Sequence, residues 1–229
     1  FASGALFDRQ QLPPFSLSLE DFTATFQTDG PQRGAPRSFE ATGQVSRGTD
    51  GGDEPYSIRV NHPLNVDGTS VFLVGQGYAP VIRVTDPDGK IVFDEAVPFL
   101  PADPSYTSNG VIKVAEAEPE QLGFQGFFLP TFVVGDTGAT RSVFPAPVQP
   151  ILGLFVWHGD LGLDDGVPQS VYVLDKTDME QYMDGDKGYR VSLQPGQSQT
   201  LPDGNTIEFT ELRQFVRFQI ASAPFVQVP

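Results

Sequence analysis

The sequence predicts an all-β, mainly antiparallel fold, a sandwich or distorted barrel with two sub-sheets and a few short helices. Three observations predict it. Apolar residues recur at period two along most of the chain, the signature of half-buried strands. The dipeptides Asp67-Gly68, Asp88-Gly89 and Asp203-Gly204 fall between such runs as turn signals. The 229 residues include 24 Gly and 21 Pro but only 19% charged residues, which favours short strands joined by turns over helical bundles.

In residues 15–26, Phe15, Leu17 and Leu19 alternate, and then Phe22, Ala24 and Phe26 alternate in the opposite phase. A phase switch at Glu20-Asp21 predicts a bulge or corner. Pro31, Gly34 and Pro36 break the chain before Phe39, Ala41 and Val45 resume it. Asp50, Gly51, Gly52 and Asp53 read as a surface loop, and Tyr56, Ile58 and Val60 as a strand that ends at Asn61-His62-Pro63. After Asp67-Gly68, residues 71–74 are continuously apolar and predict a buried strand. Ile82 and Val84 lead into the turn Asp86-Pro87-Asp88-Gly89, where proline presets φ and glycine supplies φ > 0, and residues 91–93 return.

Residues 96–150 are less regular, with prolines throughout, a strand at 111–114, one turn of helix at 118–122, and the cluster Phe124, Phe127, Phe128 and Phe132. The cluster reads as core filling or as a face against a partner. Residues 151–157 form an apolar strand, 170–174 another, and 178–183 a short helix. Tyr189, Val191 and Leu193 alternate, as do Ile207 with Phe209 and Val216, Phe218 and Ile220. Ten to thirteen strands result. The chain reads as one domain over residues 1–229 with a sub-domain break near 98–150.

The net charge is −15, from 14 basic and 29 acidic residues. That balance argues against nucleic acid and anionic lipid surfaces as partners. Cysteine is absent, which excludes disulfides, thiol chemistry and Cys-ligated zinc in this chain. Apolar runs reach about seven residues, whereas a bilayer span takes about 20. The first residue is Phe1, so the chain is expected to be a piece of a longer protein.

The chemistry-bearing residues are sparse. His62 and His158 are 96 positions apart and have no ligand-spaced neighbour, so both read as structural or solvent-facing, and no metal site is expected. Neither the serine-hydrolase elbow nor a phosphate-binding glycine fingerprint is present. Asp184, Asp186 and Gly188 open like a calcium loop, but Tyr189 and Pro195 stand where Gly and Glu are required. Asp160, Asp164 and Asp165 read as turn residues. With 29 acidic residues a carboxylate pair of the glycosidase kind remains open.

Five blocks carry a family resemblance. Val60-Asn61-His62-Pro63-Leu64, then Gly68 and the strand at 71–74, resembles the V-N-x-P-L phrase of the ResB family. Residues 4–7, 12–15 and 19–22 resemble the opening segment of its actinobacterial branch. Gly123-Phe124, Gly126 and Phe128-Leu129-Pro130-Thr131 resemble the central block. Gly159-Asp160-Leu161-Gly162-Leu163 and Pro168-Gln169-Ser170-Val171-Tyr172 resemble the later ones. The exit departs: Ser222-Ala223-Pro224 stands where the family has an Asp-Pro step.

The resemblance implies the extracytoplasmic domain of a membrane-bound System II factor for cytochrome c biogenesis. Its flanking membrane helices would lie outside this chain. The implied partners are a CcsA-type membrane protein, apocytochrome c and a thioredoxin-like protein. The implied role is non-catalytic: to present haem and apocytochrome for thioether attachment, with haem handled by the full-length protein and no cofactor in this domain. Val60, Asn61, Pro63, Leu64 and Gly68 carry the family phrase and read as structural, and His62 fills its variable position. Composition alone leaves open a secreted β-sandwich adhesin or carbohydrate-binding module, and a two-carboxylate hydrolase.

Overall fold

The structure is a computed structural model that describes residues 15–47, 52–136, 138–163, 166 and 169–222. Residues 4–7 and 12–14, Asp50, Gly51, Asp164, Asp165, Pro168, Ala223 and Pro224 lie outside the described residues. The described residues contain strands and turns, and no helix. All paired strands run antiparallel, and no sheet closes on itself. The all-β antiparallel expectation therefore holds. The short helices and the barrel alternative do not.

The chain divides into two compact units. The first comprises residues 36–76 with the described parts of 1–25 and 216–229. Strands β1 (Phe15–Phe26), β2 (Pro36–Arg47) and β3 (Asp53–Arg59) form a sheet in that order. In β1 the partly buried residues are Phe15 and Leu17, then Phe22, Ala24 and Phe26, while Glu20 and Asp21 are exposed. The acidic pair thus flips the strand's phase, as its pattern predicts. Strand β4 (Leu64–Val66) pairs with the start of β5 (Thr69–Thr85). Val45, Tyr56, Ile58, Val66 and Val71 form this unit's core, with Leu64, Leu73 and Phe218 against it. Residues 71–74 are not continuously buried: Val71 is, but Phe72 and Val74 are exposed. One face of β5 meets solvent here, so its apolar run alternates in burial.

The second unit spans residues 26–35 and 77–215. Here β6 (Ile91–Ala96) pairs with β5. The central sheet contains β7 (Leu100–Pro101), β8 (Ser108–Val114) and β9 (Gln121–Leu129). A small hairpin joins β10 (Phe132–Val134) and β11 (Thr140–Ser142). Strand β12 (Ile151–Gly159) follows, then β13 (Met179–Gln181). Next come the hairpin β14 (Met183–Asp184) with β15 (Lys187–Gly188), then β16 (Arg190–Leu193) and β17 (Gln197–Thr200). Strand β18 (Thr206–Ser222) is one continuous strand where the pattern gave two runs. The central sheet has the order β13-β12-β9-β8-β7, with β16 also on β12. A second sheet has the order β17-β18-β5-β4, with β6 on β5.

The two sheets share one core. Tyr78, Ile82, Ile207 and Phe209 of the second sheet meet Ile112, Phe124, Phe128, Leu152 and Leu154 of the central sheet. Phe124 and Phe128 are fully buried, which makes half of the phenylalanine cluster core; Phe127 and Phe132 are only partly buried. The Tyr78 hydroxyl donates to the Pro145 carbonyl at 2.7 Å, so its one polar atom is satisfied in this core.

Three local expectations fail for tertiary reasons. Residues 118–122 do not form a helical turn, because Leu122 and its successors are drawn into β9 between β8 and β12. Residues 178–183 form strands, because Met179, Glu180 and Gln181 pair with Gly159, His158 and Trp157. Burial of the paired face overrides local helix propensity. Residues 170–174 form a turn. The Tyr172 N–H donates to the Ser170 hydroxyl at 3.2 Å and the Val173 N–H to the Ser170 carbonyl at 3.4 Å. A serine that captures neighbouring amides competes with strand pairing.

Two predictions follow from this core. A Cβ on Gly126 would collide with the Gly153 carbonyl oxygen and lie 2.8 Å from Leu154 Cα, both backbone. Gly126→Ala should therefore destabilise the protein by about 1–3 kcal/mol, read from urea denaturation midpoints. Unchanged stability would contradict this packing. Burial raises the Tyr78 phenol above its ordinary range. The ionised form is disfavoured only in the folded chain, so stability is intact below about pH 10 and falls as pH rises further. The loss from this group should be roughly 1.4 kcal/mol per pH unit, and Tyr78→Phe should remove that part of the slope.

Candidate functional site

The family phrase builds a corner of the first unit. The His62 N–H donates to the Arg59 carbonyl at 2.9 Å, and the Arg59 N–H donates back at 3.2 Å. Val60 and Asn61 are thus the two loop residues, and Asn61 has φ 62°, a conformation asparagine tolerates better than most residues. Pro63 then leads into β4, and Leu64 lies opposite Val71 against the unit's core. At the far end of β4, Asp67 has φ 49° and Gly68 φ 80°. Two left-handed residues in a two-residue loop define the type I′ hairpin turn. The five residues share one corner, but they do not converge on a cavity. Val60, Asn61 and His62 are exposed, and the His62 Nδ1 lies 3.2 Å from the Val60 carbonyl.

Three of the other resembling blocks meet on the central sheet. Even-numbered residues of β9 and β12 face the core, so the odd-numbered ones face outward. The outward set includes Gly123, Gln125 and Phe127 on β9 and Gly153, Phe155 and Trp157 on β12. The chain after β12 folds back over part of this face. Leu161, Leu174, Val111 and Trp157 form a buried cluster there. Gly123 permits the close approach: a Cβ on it would lie 2.7 Å from Leu174 Cδ1.

Gln169 pins the returning segment. Its Nε2 donates to the carbonyls of Leu161 and Gly162 at 3.1 and 2.9 Å. Its Oε1 accepts from Lys113 Nζ at 2.8 Å. The Leu161 N–H donates to Gln121 Oε1 at 2.8 Å. Beside the pinned segment, Val171, Tyr172 and Val173 are all exposed. A cleft runs from there across β9 and β12. Phe155 and Trp157 contact edge-to-face at 6.3 Å. Lys176 Nζ sits 4.0 Å above the Trp157 ring and the Arg190 guanidinium 5.0 Å above Phe155. Each such cation–ring contact is worth about 0.5–1 kcal/mol at an exposed site.

No local spacing in the sequence points to the His158 cluster. His158 Nδ1 lies 2.6 Å from Glu120 Oε2, and the imidazole stacks on Tyr182 at 4.3 Å. Burial, then the neighbouring Asp203 and Glu120 carboxylates, push the Tyr182 phenol above its ordinary range. Glu120 is 38 positions from His158, and only the β9–β12 pairing brings them together. Among the described residues no group of three or more His, Asp or Glu could hold a metal ion. Asp184 and Asp186 belong to the β14–β15 hairpin, where Asp184 pairs with Lys187. Asp160 caps its own loop, accepting the Gly162 N–H at 2.8 Å. No helix among the described residues is long and apolar enough to cross a membrane.

The corner yields a contrast between two substitutions. Leu64 is half-buried, so Leu64→Ala should cost about 1–2 kcal/mol, less than a fully buried leucine. His62→Ala should stay within about 0.5 kcal/mol, as for an ordinary surface change. Denaturation midpoints of the two variants would check this, and a larger loss for His62→Ala would contradict the corner's geometry.

No curated protein and no solved structure matches the chain. A family model does: that of the ResB-like family, over residues 1–228. The match takes in the corner at Val60–Gly68 as well as the blocks that fold together on the central sheet, and so covers both compact units. The chain belongs to the ResB-like family.

Proposed function

We propose that this chain is the extracytoplasmic domain of a membrane-bound factor for cytochrome c biogenesis, of the actinobacterial type. In this reading it is non-catalytic. It presents haem, the cargo of the full-length protein, or apocytochrome c for thioether attachment. It works beside a CcsA-type membrane partner and a thioredoxin-like protein, and membrane helices outside residues 1–229 anchor it. The observation that carries this reading is the family match over residues 1–228.

The physical features are consistent with an assembly role. Without cysteine the chain cannot exchange disulfides with the apocytochrome thiols. Reduction of those thiols then falls to groups outside residues 1–229. The net charge of −15 would speed encounter with basic segments of a substrate. Strand β1 has β2 on one side and no strand on the other among the described residues. An extended apocytochrome segment added there would gain main-chain hydrogen bonds.

Deleting the gene in its own host and staining membranes for covalent haem tests the reading. Loss of c-type cytochromes, restored by the gene in trans, is the expected result. Normal cytochrome levels in the deletion strain would refute it.

A further inference from the structure

The cleft on the outer face of the central sheet has a chemistry that the family match by itself does not explain. Its two adjoining hollows, of about 600 and 560 Å³, share Phe127 and Phe155 as a common wall. Both volumes fall within the range of small-molecule sites. The chain has 29 acidic residues, yet no Asp or Glu lines either hollow. Lys176 lines one and Arg190 the other. Neither forms an ion pair among the described residues; each rests on an aromatic ring instead. A ring keeps a cation in place while leaving its charge available.

We propose that this cleft binds a small anionic amphiphile. Its apolar body would lie against Phe127, Phe155 and Tyr172. Its carboxylate, sulfonate or phosphate would face Lys176 and Arg190. A cationic ligand is disfavoured, because these two cations already occupy the ring faces. A peptide strand is disfavoured because the floor is a sheet face, not an edge. The main-chain groups of β8, β9, β12 and β16 are committed to one another there. A peptide would bury amides without partners, which is unfavourable for each one.

Trp157, the single tryptophan, is in the cleft wall and reports on it directly. The probe is 8-anilinonaphthalene-1-sulfonate, titrated while Trp157 emission is followed. Saturable quenching at one site per chain is expected. The double substitution Lys176→Gln with Arg190→Gln should weaken binding at least tenfold and lower the denaturation midpoint only by the loss of the two cation–ring contacts, with the far-ultraviolet circular dichroism spectrum unchanged. Tyr172→Glu, a change at an exposed position that adds a carboxylate at the cleft mouth, should weaken it similarly. Displacement of the dye by laurate would assign the cleft to acyl-chain anions, and its retention to planar aromatic anions. Absence of saturable quenching would overturn the proposal. So would equal affinity in both variants, or equally tight binding of the cationic dye thioflavin T.

Discussion

The nine-residue pairing of β9 with β12, from Ile151 opposite Leu129 to Gly159 opposite Gln121, is the constraint on which the second unit depends. Side chains alternate across a sheet with a period of two, so this one register decides both faces at once. It sends Phe124, Phe128, Leu152, Leu154 and Val156 into the core. It sends Gln125, Phe127, Phe155 and Trp157 to the other side. A slip of one residue in β9 would exchange its two sets, placing Gln125 in the core and stranding Phe124 outside. Both faces are apolar enough to demand cover, one from the second sheet and the other from the returning segment around Leu161 and Leu174.

Glycine makes this double-sided packing feasible. A Cβ on Gly110 would lie 2.7 Å from the Phe99 ring, and one on Gly153 2.6 Å from the Phe127 ring. On β5 a Cβ on Gly77 would lie 2.5 Å from Phe215. In each case a flat ring occupies the space that a side chain would have filled. The glycine weakens its strand locally, since it has no side chain to pack and loses more chain entropy on folding. The aromatic ring laid across it offsets that loss with buried area. The abundance of Gly and Phe in this chain is therefore partly one feature, not two.

Charge is distributed unevenly around the same sheet. A net charge of −15 keeps most of the surface repulsive toward anions. The cleft walls carry Lys176 and Arg190 and no carboxylate. The family blocks around Gly123, Leu161 and Gln169 shape the cover of this face, and the cleft opens beside it. The V-N-x-P-L corner sits in the other unit and does mechanical work: it ends β3, starts β4 and sets up the type I′ turn at Asp67-Gly68.

Much of the fold was legible in the chain itself. Period-two alternation marks β1, β2, β3 and β18, a continuous apolar run marks β12, and the phase slip at Glu20-Asp21 stands in the alternation of β1 itself. Asp67-Gly68 and Asp203-Gly204 marked turns, because their backbone requirement is local. The family, too, was legible from short blocks in a fixed order. What the sequence could not decide depends on partners distant along the chain. Residues 178–183 look helical alone and become strands only because β12 offers an edge. Residues 170–174 look like a strand and remain a turn, with local hydrogen bonds to Ser170 in place of a neighbouring strand. The His158–Glu120 pair and the Lys176–Trp157 contact follow from register and from the fold-back of one segment. Neither leaves a trace in local spacing, because strand pairing joins residues by geometry and not by distance along the chain.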